Sequence, residues 1–349
     1  MGLNMTLSCP MPKLDFDTIT LGHGSGGLLT HKLLDAGVFN VLANDILDKQ
    51  HDGAFLDLNG KVAMTTDSFV VSPIFFPGGN IGDLAVNGTV NDLAMCGAKP
   101  QYLSLAFIIE EGLSMEEFWE VLLSIKEAAD KSGVKVVTGD TKVVDRGKGD
   151  KLFINTTGIG TVDENASIDE LRIEEGDHVI LSGQMAQHGI AIMSVRDGLE
   201  FETIIETDSQ CLNHLTLDLV QQFGSDIKWL RDPTRGGVGT VLSELAKSTG
   251  HGIRLDQRFM PIDEQVEGAC EMLGLDPLYV ANEGLFILIA KAEASREILA
   301  RMRQYPEGQN ATVIGEITSE HKGKVIMKSM IGGSRVVSML PGEQLPRIC

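Results

Sequence analysis

Three observations predict a layered protein of two domains that mixes α-helices and β-strands, either α/β or α+β. The chain has 349 residues, enough for two domains of ordinary size, each burying its own core. Apolar residues make up 43% and glycines number 39, while aromatics are only 5%, which marks a globular chain with many tight turns. Strand-like and helix-like periodicities alternate through both halves, as layered folds require.

In the first half, apolar runs and alternations predict strands near 54–58, 62–71, 101–109, 134–138 and 152–161. Helical spacing predicts helices near 26–38, 81–97 and 114–131. The last has the plainest signals: Ser114 stands three residues before Glu117 in capping-box spacing, and Gly133 ends the element. The second half predicts strands near 178–183, 252–256, 285–291, 311–317 and 324–328. Its helices fall near 188–197, 211–223, 237–249, 263–273 and 293–303. The polar stretch 162–170 reads as a linker, so the domains are placed at 14–165 and 166–340. Residues 341–349 hold two prolines and no periodicity, and read as a flexible tail that ends in Cys349.

Charge and cysteines limit the function. A net charge of −20 repels nucleic acid and anionic membranes. An acidic chain that binds an anionic ligand needs a divalent cation beside it, so a nucleotide would come with Mg2+. Five scattered cysteines form no CxxC pair, which argues against a zinc knuckle or a disulfide framework. No run of 18 apolar residues and no leader-like segment is present, so a cytoplasmic protein with reduced thiols is expected.

Several segments carry chemistry. Gly22-His23-Gly24-Ser25-Gly26-Gly27 precedes a helical pattern, where turning backbone amides and a helix start favour an anion; a plain glycine-rich turn is the alternative. Asp67 closes an apolar strand, either as a metal ligand or as a solvated strand end. The helix 81–97 sets Asp83, Asn87 and Asn91 at i, i+4 and i+8, with Asp92 beside them. Its other positions are small and apolar, and a polar stripe in a buried helix is costly unless paired or liganded. Gly139-Asp140-Thr141-Lys142 ends another strand with a carboxylate and an ammonium, suited to Mg2+ and phosphate or to a surface ion pair. Leu230–Gly239 repeats the glycine-rich turn before a helix, with two arginines and an aspartate. Glu283, before a buried strand, is a general base or a turn residue. A thiol at the very end of the chain, Cys349, can be offered to more than one active site.

Together these segments resemble the AIR synthetase-like (PurM-like) ATP-dependent enzymes and, within them, the HypE family of hydrogenase maturation factors. The resemblance runs from GHGSGG through TDSFVVSPIFFPGGNIGDLAVNGTVNDLAMCGAKP, VVTGDTKVV, RDPTRGGVGTVL and ANEG to the terminal PRIC. It implies an α+β, two-domain fold whose N-terminal domain forms a β-barrel across a homodimer. It also implies ATP and Mg2+ between the domains. A HypF-like carbamoyltransferase would load Cys349, the chain would dehydrate the carbamoyl group to a thiocyanate, and a HypC–HypD complex would take the cyano group. On that reading Cys349, Glu283 and Lys142 are catalytic. Gly22–Gly27, Asp67, Asn91 and Thr141 bind the nucleotide, and Asp67, Asp83, Asp92 and Asp140 bind metal. Rival readings are a sister enzyme of the AIR synthetase or selenophosphate synthetase type, and a carrier without chemistry of its own.

Overall fold

The computed structural model describes residues 16–51, 53–198, 204–340 and 347–349. Cys9 therefore lies outside the described residues, as does most of the tail. The chain opens with a 3-10 turn Leu21–Gly24, helix α1 (Leu28–Leu33) and a π-helical turn Leu34–Phe39. Then follow β1 (Val62–Phe69), a short ladder of β2 (Phe75–Phe76) and β3 (Gly79–Asn80), α2 (Ile81–Met95), β4 (Ala98–Glu110), α3 (Met115–Ser132), β5 (Lys135–Val144) and β6 (Leu152–Val162). Strands β1, β6, β4 and β5 form one sheet in that order, antiparallel except for β4 beside β5.

Local chemistry sets the helix ends. The Ser114 hydroxyl accepts from the Glu117 amide at 3.0 Å, and Gly133 takes the left-handed backbone that stops α3. At α2, the Asn80 side chain accepts from Gly82 N, and the Asp83 carboxylate accepts from Asn80 N at 2.6 Å, closing a capping box. One face of the sheet is covered by α2 and α3, whose apolar side chains make the first core. The other face presents Val62, Met64 and Ile108 in the open.

The second half runs β7 (His178–Leu181), α4 (Gln187–Arg196), α5 (Asn213–Phe223), β8 (Ile227–Arg231), α6 (Gly237–Thr249), β9 (Gly252–Asp256), α7 (Glu264–Leu273), β10 (Ile287–Ala290), α8 (Ser295–Met302), β11 (Thr312–Thr318), β12 (Val325–Lys328) and β13 (Ser334–Val337). Its sheet has the order β13-β12-β9-β11-β7-β10-β8. Alternate residues serve two cores: Val179, Leu181, Ile287 and Ile289 pack with α6, whereas Ile180, Leu288 and Ala290 pack with α5, α8 and the end of α2.

Two differences from the sequence expectations have physical reasons. Strand β8 was hidden by a charge, because Lys228 lies buried in it, paired with Asp177 at 2.9 Å and Glu174 at 2.7 Å. Residues 54–58 alternate correctly but pair with no strand among the described residues, and Phe55 stays exposed.

Candidate functional site

The polar stripe of α2 is spent on holding the second half of the chain. Asp83 accepts from the Ser209 hydroxyl at 3.0 Å, and the Asn87 amide donates to the same hydroxyl at 3.1 Å. The Asn91 amide donates to the carbonyls of Gln210 and Glu283, and its oxygen accepts from Leu212 N at 2.8 Å. The stripe is thus paired along its length, which answers the cost of burying it. Asn91, expected at the nucleotide, has both amide N–H donors committed to these carbonyls. Asp83, expected at the metal, is half-buried and bound into the cap and seam, and desolvation there raises it to about 6.

The segment so held positions Glu283. The Asp208 carboxylate accepts from the amides of Glu283 and Gly284, both at 3.1 Å. Glu283 is 3% exposed, and its Oε1 has no hydrogen-bond partner. Burial first, then the negative charges of Asp232, Asp208, Asp67 and Asp92, push its carboxyl well above the usual range. Asp232 rises to about 7 by burial and by Asp92, and Asp92 and Asp67 also rise by burial. The Asp92 carboxylate accepts from the Thr65 hydroxyl at 2.6 Å. Gly88 stands on α2 where a side chain would run into Phe69 and approach the Glu283 carboxylate, so the helix can lie close to it.

The end of the tail reaches this same place. Val70 N donates to the Cys349 carbonyl at 3.1 Å, and Ser72 N to the Arg347 carbonyl at 3.3 Å. Arg347 donates to Val70 O through Nε at 3.1 Å and Nη2 at 3.0 Å, pairs with Asp150 and lies over Phe153. Ile348 is 2% exposed and belongs to the first core. The Cys349 thiol is pushed up to about 12 by burial and by Glu283, against the pull of Arg235.

A second cluster lies across the sheet. Asp140 and Lys142 make an exposed pair at 2.7 Å, and Lys142 holds the Asp140 carboxyl down. Asp140 shares a cross-strand row with Ala106, Asn155 and Ser68, whereas Asp67 shares its row with Thr156, Leu105 and Gly139. Adjacent rows point to opposite faces, and three strand spacings separate β1 from β5, about 14 Å. Asp140 therefore does not join Asp67 and Asp92 within one chain. Buried Thr141 and the loop Gly22–Gly27 complete this cluster, around a cavity of about 190 Å³ that Leu34, Val38 and Phe107 line on its apolar side. The loop is set by the Ser25 and Thr30 hydroxyls, which donate to Gly22 O, and by Thr20 N, which donates to His23 Nδ1. A side chain at Gly24 would meet Val143 N at 2.4 Å. Among the described residues, no three His, Cys, Asp or Glu side chains gather closely enough to hold a metal alone.

Asp208 and His188 were not singled out by sequence reasoning, and Asp232 and Arg235 entered it only as members of the glycine-rich segment Leu230–Gly239. One signal was available: Thr207-Asp208-Ser209 repeats the triplet Thr66-Asp67-Ser68 in the other half.

The chain matches the AIR synthase related protein N-terminal domain over residues 50–162 and the C-terminal domain of that family over residues 174–328. It is 47% identical to the carbamoyl dehydratase HypE of Azotobacter vinelandii over 97% of its own length and 100% of that protein's. Among solved structures, it resembles a hydrogenase maturation protein HypE in complex with ATP, with 47% identity, a TM-score of 0.91 and coverage of 94% of this chain and 99% of that one. HypE in a HypE–HypF complex is 42% identical, with a TM-score of 0.78 and coverage of 90% and 100%. By these matches the chain belongs to the AIR synthase related family and, within it, to the carbamoyl dehydratase HypE family of hydrogenase maturation proteins.

Proposed function

We propose that this chain dehydrates a carbamoyl group carried on its own Cys349, at the expense of ATP, and so supplies the cyanide ligand for iron in nickel–iron hydrogenase maturation. The observation that carries the reading is the terminal thiol docked beside Glu283, whose Oε1 is buried and without a partner. The balanced reaction converts R–S–C(=O)NH2 and ATP to R–S–C≡N, ADP and phosphate. ATP supplies the phosphoryl group that lets the carboxamide oxygen leave as phosphate. Both nitrogen protons must also go: Glu283 is the group placed to accept the first as the oxygen is phosphorylated, and the second leaves with the departing phosphate. The family relationship to a HypE that binds ATP supports the nucleotide.

The residues suit a divalent cation with the nucleotide. Asp67 and Asp92 offer hard oxygens, and burial with mutual repulsion makes their negative charge costly until a cation is near. Two such carboxylates leave room for phosphate oxygens and water in the shell of Mg2+. The glycine loop Gly22–Gly27 and the cavity beside it, with Asp140, Thr141 and Lys142, fit the remainder of the nucleotide. Lys142 lies in the row of Ile108 and Phe153, on the edge strand three positions from β1. A homodimer reconciles the two clusters, because the open sheet face with Val62, Met64 and Ile108 invites a second copy that brings its own Lys142.

A docked thiol near 12 is a poor nucleophile, so the carbamoyl group is loaded with the tail out, at a HypF-like carbamoyltransferase. The loaded group is neutral and tolerates the carboxylate surroundings when the tail returns. A HypC–HypD complex then receives the cyano group. The deciding measurement is the mass of the C-terminal peptide after incubation with the carbamoyltransferase, carbamoyl phosphate and ATP–Mg2+, beside a Cys349→Ala control. An adduct on Cys349 that loses one water only when ATP is available to this protein supports the reading. An adduct that never loses water leaves a carrier, and no adduct removes Cys349 from the reaction.

A further inference from the structure

The end of the tail is seated by one buried imidazole. His188, near the start of α4, is completely buried; its Nε2 lies 2.8 Å from the Ile348 carbonyl and its Nδ1 lies 2.7 Å from the Thr207 hydroxyl. A carbonyl only accepts, so Nε2 carries the proton and Nδ1 accepts from the Thr207 hydroxyl. Burial depresses this histidine to about 4, so the neutral ring with that one N–H persists through the physiological range. Phe76 meets the ring edge-on at 5.7 Å and fixes its plane. Thr207 is tied in turn: its hydroxyl oxygen accepts from Ser209 N, and its own N donates to Pro77 O. The next residue is Asp208, whose carboxylate holds the Glu283 and Gly284 amides. The element that orients the imidazole therefore also orients Glu283.

We infer that His188, oriented by Thr207, is a positioning residue that seats the penultimate carbonyl of the tail and thereby registers Cys349 against Glu283. It acts on the tail through the Ile348 carbonyl. Its single N–H is committed to Ile348, so departure of the tail strands a buried donor, and the seat favours the tail's return. Arg196 adds an outer contact, donating to Ser72 O and Arg347 O. The inference rests on the proposed carriage of the substrate on Cys349, but its test does not require the dehydratase activity.

The test measures alkylation of each cysteine by iodoacetamide in the full-length protein, read by peptide mass, with Cys96, Cys211 and Cys270 as internal references. His188→Phe keeps a ring but loses both hydrogen bonds; Cys349 is expected to react about 10-fold faster, as loss of one buried hydrogen bond implies, with Cys270 unchanged. Thr207→Val, which removes only the orienting hydroxyl, should shift Cys349 in the same direction. His188→Gln can still donate to Ile348 and accept from Thr207, and should recover most of the protection. In the coupled assay, carbamoyl loading should hold steady or quicken in His188→Phe while water loss slows. Unchanged Cys349 reactivity in either folded apolar variant, or a parallel rise at Cys270, overturns the inference. If the alkylation pattern appears but water is never lost, the seat stands and the dehydratase reading fails.

Discussion

A glutamate among four aspartates can accept a proton only when its surroundings allow it to be charged, so the residue that matters most is also the one most opposed by burial. Replacing Glu283 by Gln keeps the shape and removes the base. Water loss from the loaded peptide is expected to fall by about 10²–10⁴, with loading at Cys349 unaffected; a variant that still turns over would remove Glu283 from the chemistry. The same carboxylates govern stability. Burial raises Asp83 and Asp208 to about 6 and Asp232 to about 7, so the folded chain keeps protons that an unfolded chain, with carboxyls near about 3.9, has released. Their contribution to stability is full below about pH 4 and is lost as pH rises through about 4 to 7. Asp256, Asp140 and Asp218, held down by Arg258, Lys142 and Arg301, act in the opposite sense, and only at lower pH. Asp232→Asn should therefore flatten the decline in melting temperature of the ligand-free protein between about pH 5 and 7. Identical profiles for variant and parent would show that Asp232 is not proton-loaded in the fold.

At the scale of elements, α2 has two jobs that its sequence does not separate. Asp92 faces the carboxylate cluster, while Asp83, Asn87 and Asn91 fasten the helix to residues 207–212 and to the backbone of Glu283. Spacing alone showed that one helix face was polar and buried, and that such a face needs partners. Whether the partners are phosphate, metal or protein depends on which distant segment arrives opposite, and that segment lies more than a hundred residues away in sequence. Asn91→Ala leaves Leu212 N and two carbonyls without their partner. A loss of about 2–4 kcal/mol is expected, measured by urea unfolding, together with slower water loss because Glu283 loses a support. A variant with parental stability would show that the seam is held elsewhere.

Over the whole molecule, the candidate residues Asp67 and Asp140 lie on opposite faces of the first sheet, three strand spacings apart, while the cavity beside Thr141 reaches the core face at Leu105 and Phe107, and the outer face carries exposed apolar side chains. A second copy would cover that face. Met64 is 69% exposed and central to it, so Met64→Asp is expected to leave a folded monomer by light scattering, with turnover lost. A variant that remains dimeric, or a fully active monomer, would count against the shared barrel.

The sequence by itself determined most of the secondary structure, because periodicity and capping are local: Ser114 and Gly133 bracket α3 as expected. It also singled out Asp67, Asp92, Glu283 and Cys349, since carboxylates beside strand ends or on a small, apolar helix and a thiol at the chain end stand out from an apolar background. Only the tertiary structure decided which of these meet. The pleat of the sheet sends Asp67 and Asp140 to opposite faces, a difference of one position in the row that no spacing rule reveals without the strand register. Docking of residues 347–349 places the thiol, and His188, Thr207 and Asp208 acquire roles only because three chain segments converge there. Strand β8 escaped notice for the same reason, since Lys228 becomes tolerable in a buried strand only once Asp177 and Glu174 are beside it.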